Sequence, residues 1–292
     1  MRLGLEQVRS EQFGVFTVRQ VLREYTRAEL RARVDRGEWV RVFHGVYRAA
    51  TTSPSPELRV EAARLSMGLT VLAAAYNTAA ELHGFSVLAD QPTDVLGIQA
   101  TRSHRLVVHR DRVDPAELEL VRGTMTTRPA RTAVDVARTL TRMDALATLD
   151  AALRAGVSSA ALTTELDKQA GRRGRRQAGQ LIGLADARAE SPMESRTRLR
   201  CIDAGLPPPE PQIPIQTRNG LRRIDLGWRR WRVGLEYDSA EWHSGQAATQ
   251  RDNPRHNWLT AEGWTIYYAT ATDVYHHPHH FTAPIHRAIA RA

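Results

Sequence analysis

The order of elements legible in this 292-residue chain predicts an α/β (α+β) protein in three parts: a winged helix-turn-helix over residues 1–50, a mainly helical middle over 54–189 with a short β-hairpin, and a mixed sheet flanked by helices over 190–292. Three observations carry this. Two helix-capping boxes stand close together near the start and are followed by an alternating ribbon. Apolar residues then recur at helical spacing through the middle. Finally, the stretch Arg223–Asp238 alternates as paired strands do.

In the first part, residues 3–12 read as a helix. Thr17 with Gln20 and Thr26 with Glu29 each place a hydroxyl at a helix start and a matching acceptor three residues on, and Gly37 supplies a stop. Trp39 to Phe43 and Val46 to Arg48 alternate around His44-Gly45, a short hairpin. Helix, turn, helix and ribbon outline a winged helix-turn-helix. The second capped helix carries Arg27, Arg31, Arg33 and Arg36, which are expected to meet phosphates or base edges of DNA.

In the middle, Asn77 caps a short helix stopped by Gly84, and the segments 94–100 and 105–111 alternate like paired strands. Thr127 and Pro129 open a further helix, and apolar residues in 133–140, 145–153 and 160–166 suit packed helices. The GRRGRR run at Gly171–Arg176 is a basic break between elements. His83, His104 and His109 are scattered and make no catalytic constellation.

The third part opens at Ser191-Pro192-Met193-Glu194, a helix start that runs to about Ala204. Asn219-Gly220 is a hairpin turn that sets Ile215 opposite Ile224 and Ile213 opposite Leu226. A second turn at Arg229-Arg230 sets Trp228 opposite Trp231, Leu226 opposite Val233 and Ile224 opposite Leu235. All these apolar residues then share one face. The other face collects Arg223, Asp225, Gly227, Gly234, Glu236 and Asp238, with the two glycines leaving it open. Asp225 and Glu236 lie diagonal to one another, roughly 7–8 Å apart at Cβ, within reach of a shared cation. A helix beginning near Asn253-Pro254, a strand at 264–270 and a final helix from Phe281 complete the order.

Composition limits the partners. A net charge of +9, almost all of it arginine since Lys168 is the single lysine, suits a polyanion such as DNA. The single cysteine, Cys201, excludes an intrachain disulfide and a zinc site built on several cysteines, and points to a reducing, cytoplasmic location. Without a signal-peptide core or an apolar stretch long enough to span a bilayer, no membrane role is expected.

The chemistry these acids could support is phosphodiester hydrolysis, in which a divalent cation polarises the phosphate and activates water. Asp225 and Glu236 are the candidate oxygen ligands, with the Tyr237 carbonyl beside them and Glu194 one turn into its helix. Mg2+ or Mn2+ is the expected ion. Downstream, Asp238 and His243 are candidates for proton transfer or metal binding, and Arg223 and Arg255 for holding DNA. The HHPHH run at His276–His280 reads as an exposed loop.

From Ser191 onward, the segments SPMESRTR, GLPPPEPQ, RRIDLGW, GLEYDSAEWH, RDNPRHNWL and EGWTIYY together resemble the actinobacterial branch of nuclease-like domains related to very-short-patch-repair endonucleases, within the PD-(D/E)xK superfamily. The front, with GVFTVRQVL, RAELRARVDRGEWVRVFHGVYR and TTRPARTAVDVAR, resembles the AbiEi-type antitoxin N-terminal winged helix and its companion region. The first resemblance implies a restriction-endonuclease-like sheet, with Asp225 as the central aspartate, Glu236 as the second acid and Glu194 as the helix glutamate. Asp238 stands where the superfamily motif has lysine, and His243 is the natural substitute. Ser239 stands where glycine is common. Two functions follow as expectations. One is a metal-dependent DNA endonuclease. The other is an antitoxin or transcriptional regulator of a toxin-antitoxin system, with a cognate toxin as partner and a catalytically degenerate nuclease-like domain.

Overall fold

The structure is a computed structural model that describes residues 1–68, 71–98, 100–217, 220–238 and 259–291, and it divides into two compact units, Met1–Val136 and Ala137–Ala292.

The first unit begins with α1 (Leu3–Glu11), β1 (Val15–Thr17), α2 (Val18–Val21), α3 (Arg27–Asp35), β2 (Trp39–Phe43) and β3 (Val46–Ala49), the three strands ordered β1-β3-β2. Both expected capping boxes form: the hydroxyls of Thr17 and Thr26 accept the N–H of Gln20 and Glu29, whose side chains return to the N–H of the threonines. Four otherwise orphaned helix-end donors are satisfied locally. Leu5, Phe16, Val21, Tyr25 and Trp39 are buried together beneath α3, each large side chain contributing about 1.5–3 kcal/mol.

Next, α4 (Pro56–Met67) presents apolar residues on two sides. Leu58 and Ala62 pack with Val15 and Val46 of the winged helix, while Val60 and Ala63 pack with Ala74, Val95 and Val108 of a second sheet. That sheet has six strands in the order β6-β7-β5-β4-β9-β8, formed by β4 (Val71–Ala74), β5 (Thr93–Gly97), β6 (Thr101–Arg102), β7 (Leu106–His109), β8 (Leu118–Val121) and β9 (Thr124–Thr127); α5 (Tyr76–Leu82) follows β4. Helices still predominate over residues 54–189, but in place of a single short β-hairpin the strands form this six-stranded sheet. The two strands foreseen at 94–100 and 105–111 exist but pair in parallel, because β6 intervenes and takes the antiparallel side of β7. The β8–β9 hairpin turns on Arg122-Gly123, both with positive φ, a primed turn whose Arg-Gly pair carries no strong sequence signal.

At the end of the first unit α6 (Pro129–Thr139) begins, and the second unit continues with α7 (Arg142–Arg154), α8 (Ser159–Lys168), α9 (Arg175–Ile182) and α10 (Pro192–Asp203). Helices α7 and α10 are joined by a buried ion pair. Arg198 donates to both carboxylate oxygens of Asp150 at 3.0 and 2.8 Å, with side chains 5% and 0% exposed. A four-stranded mixed sheet follows in the order β10-β11-β12-β13: β10 (Glu210–Thr217), β11 (Gly220–Trp228) and β12 (Val233–Tyr237) form an antiparallel meander, and β13 (Thr265–Ala269) pairs with β12 in parallel. Helices α11 (Ala271–His276) and α12 (His279–Arg291) close the unit. The helix starting at Ser191, the strand near 264–270 and the last helix are where the sequence places them. The expected helix start at Asn253-Pro254 lies outside the described residues.

Both hairpin registers differ from expectation by two residues. Ile213 stands opposite Ile224, and Ile215 opposite Arg222. In the second hairpin Leu226 pairs with Leu235, Gly227 with Gly234 and Trp228 with Val233, because a 3-10 turn at Arg229–Trp231 and a left-handed Arg232 (φ 49°) lengthen the loop. A shift of two leaves each side chain on its own face.

The faces themselves are a further correction. Leu226, Trp228, Val233 and Leu235 pack with Cys201, Val274, Phe281 and Ile285. Ile213, Ile215 and Ile224 instead form a separate cluster with Leu259, Trp264 and Ile266. A Cβ on Gly234 would lie 2.7 Å from Ile266 Cδ1 and 2.9 Å from Ile224 Cγ2, and one on Gly227 would lie 2.9 Å from Ile213 Cδ1. Since these glycines alternate with the first set along their strands, the isoleucines occupy the opposite face. The sheet is therefore apolar on both sides, and the glycines are filled by neighbours rather than open to a ligand. Alternation breaks at Asp225, opposite Gln212, whose φ is +53°.

Candidate functional site

Two places bring together residues singled out by the sequence. The first is the winged helix. Its four expected DNA-contacting arginines divide into two pairs. Arg33 lies over the rings of Tyr25 and Trp39, 5.2 and 5.3 Å from their centroids, and donates to Glu38 at 2.6 Å. Arg36 donates to the other oxygen of Glu38, also at 2.6 Å, which raises the pKa of its guanidinium.

In contrast, Arg27 and Arg31 are exposed one helical turn apart and have no ion-pair partner among the described residues. The same is true of Arg19 in α2, Arg23 in the turn and Arg41 in β2, none of which the sequence reading selected. The spacing 19, 23, 27, 31 was available as a signal; it was obscured because the chain leaves one helix and enters the next between them. His44, at the tip of the wing, is exposed as well. The helix bearing Arg27 and Arg31 is held by its cap: the Thr26 backbone N–H, then its hydroxyl, bonds the Glu29 carboxylate and keeps its pKa below the ordinary value. Free guanidinium forks on a rigid helix suit phosphates and guanine edges.

The second place is an open cleft of about 500 Å³ in the C-terminal unit, lined by Glu190, Glu194, Gln212, Leu221, Arg222, Arg223 and Asp225. Thus Glu194 and Asp225 share a cleft, as expected. Both are already engaged. Glu194 Oε2 accepts the Glu190 N–H at 3.0 Å and Gln212 Nε2 at 2.8 Å, while its own N–H donates to Ser191 Oγ. Asp225 Oδ2 accepts the N–H of Tyr237 at 3.0 Å, a backbone donor of β12 beyond the last β11–β12 pair.

Glu236 is buried in β12 and is not part of that lining; Asp238 follows the strand end and donates its N–H to the Ala269 carbonyl. Arg223 pairs with Glu190. His243 and Arg255 lie outside the described residues. Among the described residues, no group of three or more His, Cys, Asp or Glu stands close enough to hold a metal ion. The His276–His280 run is exposed where α11 gives way to α12, and His280 Nδ1 contacts Asp273 at 2.9 Å. No helix among the described residues is long and apolar enough to cross a membrane.

A capped helix-turn-helix with a wing and partner-free arginines defines a DNA-binding regulator, and comparison with known proteins agrees. Residues 5–50 match the family described as "Transcriptional regulator, AbiEi antitoxin", and residues 72–184 match "AbiEi antitoxin C-terminal domain". Both matches end before the C-terminal sheet. The chain is also similar to "Uncharacterized protein MT2308" and "Uncharacterized protein Rv2248" from two strains of Mycobacterium tuberculosis. It is 42% identical to each over 273 residues, which cover 91% of this chain and 98% of each relative. It belongs to the same family as these mycobacterial proteins and carries the AbiEi antitoxin domains.

Proposed function

We propose that the protein is a cytoplasmic transcriptional regulator and antitoxin: the winged helix binds DNA at its own operator, and the chain neutralises a cognate toxin protein. The observation that carries the DNA-binding half is the pair Arg27 and Arg31, exposed on the capped second helix of a winged helix that matches AbiEi transcriptional regulators. In this reading Arg27 and Arg31 face the major groove, Arg19 and Arg23 meet the phosphate backbone, and Arg41 and His44 bring the wing to the neighbouring backbone. The toxin-neutralising half rests on the match of residues 72–184. The C-terminal cleft serves binding rather than hydrolysis, since its two acids are held by backbone and amide donors; Mg2+ and Mn2+ are not part of this reading.

The test is footprinting on the DNA upstream of the gene, with co-expression of the adjacent coding sequence in a growth assay. A protected site and rescue of growth are expected. Equal affinity for that DNA and for unrelated sequence would overturn the regulator, and failure to rescue growth would remove the antitoxin half alone.

A further inference from the structure

The basic run Gly171–Arg176 is left unexplained by the winged helix. It spans the turn between α8 and α9 and the first two residues of α9, and its six residues are not loosely displayed. Gly171 and Gly174 both adopt left-handed backbone, with φ of 75° and 80°. At Gly174 a Cβ would collide with the Arg138 carbonyl oxygen, so the turn lies directly on the end of α6. Arg138 Nη1 donates to the Arg173 carbonyl at 2.9 Å, and Gln177 Nε2 donates to the carbonyls of Ala137 and Leu140 at 3.0 and 3.1 Å. The turn and the end of α6 therefore hold one another.

The nearby acids are occupied. Arg175 folds back onto α8, donating to the Leu166 carbonyl and to Asp167 at 3.0 Å, and Glu165 accepts from Lys168 and Gln169. Arg173 and Arg176 are left exposed, with no acidic partner among the described residues. Residues 137–292 carry 22 basic and 16 acidic side chains, a net +6, against a net +3 for residues 1–136. Two exposed guanidinium groups, one on a braced turn and one at the start of the helix that follows it, in the more basic half of the chain, match a row of phosphates better than a solvated charge run, because little backbone entropy is lost when they engage.

We propose that Arg173 and Arg176 form a second DNA contact, a grip on the phosphate backbone that carries no sequence information and adds to the winged helix; it rests on the DNA-binding reading above. Anisotropy titrations of the full chain against operator and random duplexes, from about 50 to about 200 mM salt, test it. Each phosphate contact contributes about 0.9 to the slope of log affinity against log salt. For R173Q/R176Q the slope is expected to fall by about 1.8, narrowing the affinity ratio across that salt range by about tenfold, with the operator-to-random preference kept. R27A/R31A is expected to lose that preference instead. An unchanged slope in R173Q/R176Q, with its melting temperature also unchanged, overturns the second contact while leaving the winged helix intact. A reduced slope there beside an unaffected R27A/R31A removes the winged-helix reading and leaves the second contact standing. If the wild-type chain binds neither duplex, both fall.

Discussion

Four arginines on and just after one helix are equivalent in the sequence and unequal in the structure, which makes them a sharp test of the DNA-binding reading. Among the described residues Arg27 and Arg31 have no ionic partner to leave when DNA arrives, so replacing each by alanine removes contacts to phosphate or base without a compensating release. A good base-edge contact is worth about 1–3 kcal/mol, so the double variant should lose about 2–6 kcal/mol of operator affinity, or roughly 30-fold to 25,000-fold. Arg36 is 57% exposed and tied to Glu38 at 2.6 Å, so its charge is already answered by a neighbour in the fold. Arg36→Ala should therefore shift affinity less than about fivefold. Arg33 is different again: its guanidinium lies over two rings and meets the same glutamate. Removing it should lower folding stability by about 1–2 kcal/mol before it affects binding. Anisotropy at one fixed salt concentration, with urea melts of each variant, separates these outcomes. The reasoning is refuted if Arg36→Ala weakens operator binding as much as Arg31→Ala does.

Other consequences are open to measurement. Asp150→Ala strands Arg198 in the α7–α10 interface and should cost about 3–5 kcal/mol in urea unfolding, whereas the paired replacement D150L/R198M should come within about 2 kcal/mol of wild type; equal losses in both would show that packing, not the stranded charge, dominates. Gly234→Ala forces a methyl group against Ile266 and Ile224 and should destabilise the C-terminal sheet by about 1–3 kcal/mol; a neutral result would mean that this face has room to spare. The Glu29 carboxyl, bonded by Thr26 and flanked by Arg2 and Arg33, should titrate below its ordinary 4.5. Its depressed folded value means that the cap's stabilisation is present above about pH 4.5 and fades as pH falls through the lower folded midpoint. An NMR titration placing that midpoint at or above 4.5 would contradict the cap. Finally, supercoiled and mismatched DNA should survive incubation with Mg2+ or Mn2+. Cleavage that disappears in Asp225→Ala and Glu194→Ala would restore the nuclease reading.

What could be read directly was local in the chain. Both capping boxes, the helix beginning after Ser191 and the ribbon around His44-Gly45 depend on partners three or four residues apart, so the residues that form them lie side by side in the sequence. Element identity in the C-terminal unit was legible for the same reason, down to β13 and the last helix.

Pairings between distant segments were decided by the tertiary structure. The six-stranded sheet joins Ala74 to Thr126 and Thr93 to Leu106, and short strands of two to five residues announce no partner. The register of β11 against β12 turned on Arg232 adopting left-handed backbone, which nothing about an arginine foretells. Alternation then broke at Asp225, so the acids expected on one open face became a cleft carboxylate and a buried glutamate, with the glycines between them filled by isoleucine. The composition alone established that the chain is arginine-rich enough to seek a polyanion. Which arginines are free to do so depends on where Glu38, Asp167 and the rings of Tyr25 and Trp39 come to lie, because a cation already neutralised by its own fold has little left to offer a phosphate.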